Sequence, residues 1–331
     1  MFRKSNTKIL LAAFIVLLVI VVIIKFAGSG KKKSTFKSEL ISVDTSLVSS
    51  ITILPKADAE KEVKLFRENG VWIAESQGKR YDADESVISN LLTEFMRIKP
   101  ERMAATDESG WEKYEVTDSA AIRITVKETN DNVTDLLVGK FSYQQAPNTN
   151  PYQRQQGKMT SYVRLYNEKE VYAVNGFLNM TFNRQINAFR NKTIISADKS
   201  DWTGLYFNYP GDSSFAMTKQ NGKWMTGGLL ADSMEVDKYL NSISHLVCTD
   251  FADDIVVTNN PTHTLKIEGS NMPVPLKISA FPADSVNKYI IASSLNTGAK
   301  FYSAKQKVFE KLFITRNRFF KAEADSINFS E

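Results

Sequence analysis

Few side chains in this sequence of 331 residues have the types and spacing that catalysis or cofactor binding requires. The two histidines, His245 and His263, lie in no nucleophile elbow, no His-Glu-x-x-His pattern and no triad-like context. The single cysteine, Cys248, excludes an intrachain disulfide and a multi-cysteine metal site, and we expect it to be a partly buried structural thiol. Gly227-Gly228 lacks the lysine–serine pair of a phosphate-binding loop. We therefore expect no catalytic residue and no cofactor.

Two groups of acidic residues could supply oxygen ligands to a hard cation. These groups are Asp82, Asp84 and Glu85 and, further along the chain, Asp250, Asp253 and Asp254. The spacing Asp82-x-x-Glu85 is better explained as a capping box in which Asp82 is the N-cap of a helix. The second group lacks the alternating ligands and the glycine of an EF-hand loop, so we expect turns there. The sequence thus predicts no metal site.

Five basic side chains are the residues that we expect to contact a partner. They are Arg164, Arg190, Lys192, Arg316 and Arg318. Exposed arginines near aromatic residues are frequent anchors of protein interfaces. Four of these residues end two aromatic amphipathic segments, 177–189 and 308–320. Solvated charge without a partner is the alternative explanation for all five.

The positive charge of the chain is concentrated at its N-terminus. The formal net charge is +5, yet residues 1–37 hold eight basic groups and no acidic one. The remaining residues therefore carry a slight excess of acidic groups. A nucleic-acid-binding protein should carry its basic excess on the folded surface, so nucleic acid is not an expected partner.

The N-terminal basic residues flank an apolar run from Ile9 to Ile24. As a helix, residues 9–27 would extend about 28 Å, close to the thickness of a bilayer's hydrocarbon core if Lys25 snorkels. A cleaved signal peptide is the alternative, but its apolar region is usually shorter and ends at a better processing site. We expect residues 1–37 to form a cytoplasmic tip, an uncleaved transmembrane helix over 9–27 and a basic linker. Charge counts alone leave the orientation ambiguous.

The rest of the sequence repeats one order of signals. Asn69-Gly70 lies between two short apolar-alternating runs, and the second run contains Trp72. Asn221-Gly222 and Trp224 repeat this arrangement in the second half. Asn-Gly in this context predicts a tight hairpin, because both central residues need a positive φ. The matching tryptophans predict equivalent core positions.

An amphipathic helix follows each predicted hairpin, with Asp82 or Asp232 as its cap. The apolar stripes of these helices are Val87, Ile88, Leu91, Leu92 and Phe95 in the first half and Val236, Tyr239, Leu240, Ile243 and Val247 in the second. Strand-like runs and an aromatic closing segment come next in both halves. The closing segments end in Arg190-Asn191-Lys192 and Arg316-Asn317-Arg318, which we match to each other.

This order predicts an α+β fold made of two tandem similar units, each a mostly antiparallel sheet with helices packed on one side. The first unit spans residues 38–198 and the second 199–331, with a linker around residues 196–200. Residues 142–161 are polar, contain two prolines and have no equally long counterpart in the second half. We therefore expect them to project as a mobile loop.

Several short motifs carry a resemblance to a known family. They are Gly70-Val71-Trp72, Tyr81-Asp82-Ala83-Asp84, Leu137-Val138-Gly139, Tyr162-Val163-Arg164, Val171-Tyr172-Ala173-Val174 and Phe189-Arg190-Asn191-Lys192. Together with the N-terminal anchor, these motifs resemble the bacterial domain of unknown function 4340 over nearly the whole chain. The chain departs from the family at Tyr114-Glu115-Val116, where members commonly have Tyr-Gly-Leu.

The resemblance implies a single-pass or signal-bearing envelope protein, often encoded beside components of ABC-type transport systems. It implies no agreed activity and no catalytic residue. We therefore expect a non-enzymatic accessory or binding protein at the bacterial inner membrane, with its folded body periplasmic or extracellular. Its expected partners are the lipid bilayer, through residues 9–27, and a component of an ABC-type transport or other envelope assembly. A hydrolase of envelope polymers and a purely structural spacer are the alternatives.

Overall fold

The computed structural model describes residues 16–17, 37–56, 61–145 and 157–320. The predicted membrane span over residues 9–27 lies outside the described residues, apart from Val16 and Leu17. Within the described ranges, no helix has the length and hydropathy needed to cross a membrane.

Two antiparallel sheets make up most of the described chain. The first sheet contains β1 (Val48–Leu54), β2 (Val63–Glu68), β3 (Val71–Ser76), β4 (Lys79–Asp82), β5 (Pro100–Ala105), β6 (Ile122–Glu128), β7 (Val133–Gln144), β8 (Lys158–Leu165) and β9 (Val171–Asn175). The second sheet contains β10 (Trp202–Asn208), β11 (Phe215–Gln220), β12 (Lys223–Thr226), β13 (Leu229–Leu230), β14 (His263–Gly269), β15 (Leu276–Pro282), β16 (Tyr289–Ser293) and β17 (Asn296–Tyr302).

The helices of the described residues are few and mostly short. They are α1 (Glu85–Met96), α2 (Trp111–Tyr114), α3 (Leu178–Phe182), α4 (Ser233–Ile243) and α5 (Val308–Leu312), with short 3-10 turns that include Ile186–Ala188 and Arg316–Phe319. Only α1 and α4 exceed two turns. Each packs its apolar stripe against the sheet of its own half. Val247 was wrongly assigned to the second stripe, since α4 ends at Ile243 and the Val247 side chain is exposed.

The strands follow the same spatial order in both sheets. The first sheet has the order β4-β3-β2-β1-β6-β7-β8-β9-β5, and the second has β13-β12-β11-β10-β14-β15-β16-β17. Each strand of the second sheet thus has a counterpart in the first, and β5 is the additional strand. Trp72 on β3 and Trp224 on β12 occupy matching places, two residues after the glycine of their hairpin turns.

The two hairpin turns have the predicted backbone. Asn69 and Gly70 have φ values of 51° and 83°, and Asn221 and Gly222 have 49° and 78°. Positive φ at both central residues matches the right-handed twist of the flanking strands. The prediction of two tight Asn-Gly hairpins is therefore confirmed.

The cap of α1 differs from the prediction by two residues. Asp84 is the N-cap, and its Oδ1 accepts hydrogen bonds from the amides of Ser86 at 3.0 Å and Val87 at 3.3 Å. Asp82 is instead the last residue of β4 and pairs with Ile73. The Asp-x-x-Glu spacing was misleading because β4 continues through Asp82. In the second half, Asp232 is the N-cap of α4, as predicted.

The predicted loop over residues 142–161 is shorter than expected. Its first residues continue β7 to Gln144, and its last residues begin β8 at Lys158. Tyr143 pairs with Met159 across these two strands. The two ends of the segment are therefore a β-hairpin, and residues 146–156 lie outside the described residues.

The two closing segments match each other in a different register from the predicted one. The Asp84 amide donates to the Phe189 carbonyl, and the Asp232 amide donates to the Phe319 carbonyl, each at 2.8 Å. Phe189 therefore corresponds to Phe319. In this register Arg190 corresponds to Phe320, and the predicted match between the two Arg-Asn pairs is wrong.

Candidate functional site

A groove of about 530 Å³ lies beside the second sheet, between the β11–β12 hairpin, helix α4 and the turn at residues 198–200. We call it the second-sheet groove. Its walls include Trp224, Leu230, Ala231, Val236 and Leu240. Its volume is within the range of pockets that bind small ligands or single side chains of a partner.

Local sequence signals build this groove. The Asn221-Gly222 turn folds β12 back so that Trp224 reaches the helix. The Ala231 amide then donates to the Trp224 carbonyl at 2.9 Å, which brings the chain to the start of α4. Val236 and Leu240 lie one turn apart on the inner side of α4 and form part of the groove wall.

A smaller groove of about 170 Å³ occupies the matching place beside the first sheet. We call it the first-sheet groove. Its walls include Thr45, Arg67, Trp72, Ile88, Ser89 and Leu92, which correspond in turn to Lys199, Lys219, Trp224, Val236, Asp237 and Leu240. The turns before β1 and β10 also match, since Asp44 and Asp198 each accept a hydrogen bond from the amide two residues later.

The difference in volume follows from the two tryptophans. Trp72 is 3% exposed, and the Arg67 guanidinium lies over its ring at 5.0 Å from the centroid. Trp224 is only half-buried. Lys219, which corresponds to Arg67, places its Nζ 3.4 Å from the Ser200 carbonyl oxygen instead. The prediction of a core position is thus confirmed for Trp72, whereas Trp224 forms part of an open wall.

Three lysines surround the apolar wall of the second-sheet groove. Lys199 pairs with Asp237 at 2.5 Å, and this hydrogen bond lowers the pKa of the Asp237 carboxyl below its ordinary value. Lys219 and Lys223 have no carboxylate partner among the described residues. The cap carboxylate of Asp232 accepts two amide hydrogen bonds from α4, so those helix amides are occupied. The groove therefore combines an apolar wall with two lysines available to a ligand.

Arg164, predicted to contact a partner, is buried. Its side chain is 2% exposed and donates to the carbonyl oxygens of Val116 at 3.1 Å, Tyr166 at 2.8 Å and Glu168 at 3.1 Å. Its guanidinium also lies 3.7 Å from the centre of the Trp111 ring. The expected exposure is wrong because two separate segments, at Val116 and at the turn after β8, supply carbonyl acceptors to this guanidinium inside the fold.

Arg190 is also buried, and its contacts join the two sheets. Its guanidinium forms two hydrogen bonds with the Asp253 carboxylate, at 2.6 and 2.7 Å. It lies between the rings of Tyr81, at 3.7 Å, and Phe251, at 3.5 Å. Tyr81 belongs to β4 of the first sheet, whereas Phe251 and Asp253 follow α4 in the second half. The expected exposure of Arg190 is therefore wrong.

The other three predicted partner residues differ in exposure. Lys192 is half-buried, and its ammonium donates to the Ala188 carbonyl at 2.7 Å. Burial lowers the pKa of Lys192. Arg316 is half-buried, and its Nη2 donates to the Thr226 carbonyl at 3.1 Å. Arg318 is exposed, as expected. The structure does not bring these five residues together into one surface.

The two histidines and the cysteine differ in how deeply they are buried. His245 is exposed. His263 is half-buried in an aromatic cluster, with Tyr209, Tyr289, Phe309 and Phe313 around its ring. Cys248 is fully buried, and burial raises the pKa of its thiol, as a structural thiol requires.

Two of the three acidic residues near position 250 pair with cationic side chains. Asp250 accepts a hydrogen bond from Lys305 at 2.9 Å, and Asp253 binds Arg190. Asp82, Asp84 and Glu85 belong to the end of β4 and the start of α1. Over the described ranges, no group of three or more histidine, cysteine or acidic side chains could hold a metal ion.

Sequence reasoning missed the two grooves, although it identified their parts. The repeated tryptophan, the capped helix and the apolar stripe were each predicted, but as core. One sequence difference between the halves could have indicated the second-sheet groove: Lys219 replaces Arg67, and Lys199 replaces Thr45. Lysine at both places beside a tryptophan indicates a basic, more open surface in the second half.

The comparisons with known proteins agree with the sequence motifs. No curated protein and no solved structure matches the chain. A family model described as Domain of unknown function (DUF4340) matches residues 72–267, from Trp72 on β3 of the first sheet to β14 of the second sheet. This match covers more than half of the chain, and the protein therefore belongs to the DUF4340 family.

Proposed function

We propose that this protein is a membrane-anchored, extracytoplasmic accessory protein without enzymatic activity that binds a partner protein in the second-sheet groove. The partner is a component of an ABC-type transport system or of another envelope assembly. The observation that carries the proposal is the open groove, in which Trp224 and Leu230 form an apolar wall beside Lys219 and Lys223.

The composition of the groove defines the kind of segment that it would bind. An apolar side chain of the partner would pack against Trp224, Val236 and Leu240. Acidic residues beside it would pair with Lys219 and Lys223. Tryptophan-lined pockets with adjacent charges are common places for interface hot spots. We therefore propose that the occupant is an acidic, amphipathic segment of the partner.

The proposed anchor makes a small contact sufficient. A span over residues 9–27 would hold the folded body near one membrane plane and raise its effective concentration toward neighbouring membrane proteins. The ABC-type partner rests on the family resemblance, while the chemistry of the contact rests on the groove. The proposal also includes the finer architecture, in which the chain consists of two units of one fold. The second unit has the wider groove and uses it for binding.

The two alternatives receive less support from the described residues. A hydrolase of envelope polymers would need paired carboxylates across a groove, whereas Asp250 faces Lys305 and Asp253 faces Arg190. A purely structural spacer would need no open apolar groove beside two available lysines.

Site-specific photo-crosslinking in intact membranes tests the proposal. Leu230 lines the groove, whereas the adjacent Leu229 points to the other face of β13, and the two are 55% and 57% exposed. A photoreactive residue at position 230 should crosslink a transport-system or envelope component, and the matched variant at 229 should not. Charge reversal by Lys219→Glu with Lys223→Glu should abolish the crosslink at 230. Equal crosslinking at both positions, or insensitivity to charge reversal, would contradict the groove as the docking site.

A further inference from the structure

Another cavity, of about 430 Å³, lies at the other end of the β12 strand from the second-sheet groove. We call it the Arg316 pocket. Its polar side is formed by Thr226, Arg316 and Asn317, and its apolar side by Tyr209 and Phe215. None of these residues belongs to the second-sheet groove, so the pocket is separate from the proposed docking site.

Two polar atoms of this pocket are buried without a partner among the described residues. Thr226 is 1% exposed, and its Oγ1 makes no hydrogen bond. The Nε of Arg316 is also buried and makes none. A buried polar atom without a hydrogen bond loses its hydration without compensation, so native structures rarely retain one. These two unsatisfied donors, the Thr226 hydroxyl and the Arg316 Nε–H, indicate a ligand that accepts hydrogen bonds.

Arg316 also differs from the two fully buried arginines of the described residues, Arg190 and Arg164. Arg190 binds the Asp253 carboxylate with two hydrogen bonds, and Arg164 donates to three carbonyl oxygens. Arg316 donates only to the Thr226 carbonyl, and no carboxylate pairs with it within the described residues. Its guanidinium therefore has donors free to bind an oxyanion.

The matching positions of the first half show that the fold does not require these polar groups. Thr226 corresponds to Ala74, since they pair with Met217 and Leu65 in the same register. In the register of the closing segments, Arg316 corresponds to Ile186, which packs against the first core. An apolar pair in the first half is thus replaced by an unsatisfied polar pair in the second.

The backbone of the second half also makes space for the guanidinium. β3 continues to Ser76, whereas β12 ends at Thr226 and Gly227 turns the chain with a φ of 57°. A Cβ at position 227 would lie 2.4 Å from Nη2 of Arg316, so only glycine permits this close approach. The strand end and the glycine together open the pocket beside Arg316.

We infer that the Arg316 pocket binds a small organic anion, with the ligand's oxyanion on Arg316 and Thr226 and its apolar body against Tyr209 and Phe215. A carboxylate or a phosphate monoester fits the planar fork of an arginine. Asp212 also lines the pocket, but its side chain is exposed on a surface turn. The charged group at the buried end of the pocket is therefore the guanidinium of Arg316. This inference does not depend on the proposed docking function.

Thermal unfolding of the full chain in detergent, with three probes at constant ionic strength, tests the inference. Benzoate carries a carboxylate, phenyl phosphate carries a phosphate monoester, and benzyl alcohol is the neutral control. We expect benzoate or phenyl phosphate to raise Tm saturably by about 2 to 4 °C at concentrations about tenfold above Kd. Benzyl alcohol should leave Tm unchanged. A response to benzoate alone identifies a carboxylate ligand, and a response to phenyl phosphate alone identifies a phosphate ester.

The first half of the chain supplies the matched variant, Thr226→Ala with Arg316→Ile. This variant should keep the native circular dichroism spectrum and lose the anion-dependent rise in Tm. The NMR signal of the Arg316 Nε–H in the wild-type chain gives a second readout that does not depend on folding of the variant, and it should shift on addition of the anion that raises Tm. The inference is overturned if neither anion raises Tm, if the variant shows the same rise, or if the Nε–H signal does not move.

Discussion

The backbone amide of Asp232 donates a hydrogen bond to the carbonyl oxygen of Phe319, 87 residues later in the chain, at 2.8 Å. The same contact joins Asp84 to Phe189 in the first half. In both halves it attaches the closing segment to the start of the capped helix. Because this contact is made by the backbone, it defines the correspondence between the halves more reliably than matching side chains.

The cap of α1 can be tested by mutation. Asp84→Ala should lower the free energy of unfolding by about 1 kcal/mol, because the amides of Ser86 and Val87 lose their acceptor. The matched control is Asp82→Ala, at an exposed residue that caps no helix. It should change the free energy of unfolding by less than about 0.5 kcal/mol. Urea unfolding followed by circular dichroism measures both, and a larger loss from Asp82→Ala would refute the assignment of the cap.

Glu115 lies where the family resemblance would place glycine, and its backbone has a conformation that favours glycine. It ends α2 in the left-handed region, with φ 56° and ψ 35°. Glu115→Gly should therefore raise the free energy of unfolding by about 0.5 to 1 kcal/mol, after allowance for the greater freedom of glycine in the unfolded chain.

Glu112 provides the matched control for this substitution. It is an exposed residue of α2 itself, so Glu112→Gly should destabilise the protein by about 0.5 to 1 kcal/mol. Chemical denaturation of both variants against wild type gives the comparison. The same sign of effect for the two variants would show that backbone conformation at position 115 is not the cause.

Arg190 and Asp253 should be strongly coupled. Asp253→Asn leaves a guanidinium that is 2% exposed without its counter-charge, and we expect a loss of about 2 to 3 kcal/mol. A double-mutant cycle with Arg190→Met should give a coupling free energy well above that of an exposed pair.

The exposed pair for comparison is Arg97 with Glu94, at 2.7 Å, whose side chains are 70% and 46% exposed. Glu94→Gln should cost less than about 0.5 kcal/mol. If the two pairs have similar coupling free energies, the contact of Arg190 between the sheets does not stabilise their association.

The sequence predicts well the features that short segments determine. The two Asn-Gly hairpins form as expected because positive φ at two adjacent residues is a local requirement. The choice between Asp82 and Asp84 as cap depends on where β4 ends, which is decided by its pairing with Ile73. Local rules cannot supply that information.

Long-range contacts account for the remaining differences. Arg164 is buried by carbonyl oxygens from separate segments, and Arg190 is buried by Phe251 and Asp253 from the second half. No spacing in the sequence indicates such pairings. Matching Arg190 to Arg316 by residue type also failed, because the backbone places Ile186 where Arg316 lies in the second half.

His263 should make stability depend on pH. Burial lowers the pKa of its imidazole below the ordinary value of about 6.5. The groups around its ring are Tyr209, Tyr289, Phe309 and Phe313, with the Thr262 hydroxyl at 3.0 Å from Nδ1, and none of them is an acid that could stabilise the charged form. As pH falls through about 6.5, the unfolded chain binds a proton at this position before the folded chain does.

The resulting sign is a loss of stability on acidification. Between the unfolded and the folded pKa of His263, the unfolded state binds more protons, so the free energy of unfolding decreases as pH falls. We expect His263→Phe to lose less stability than wild type between pH 7.5 and pH 5.5, because phenylalanine does not titrate. His245→Gln, which removes the exposed histidine, is measured beside it as the second histidine variant. Denaturant unfolding at a series of pH values measures these slopes, and equal slopes for wild type and His263→Phe would show that burial of His263 does not control this dependence.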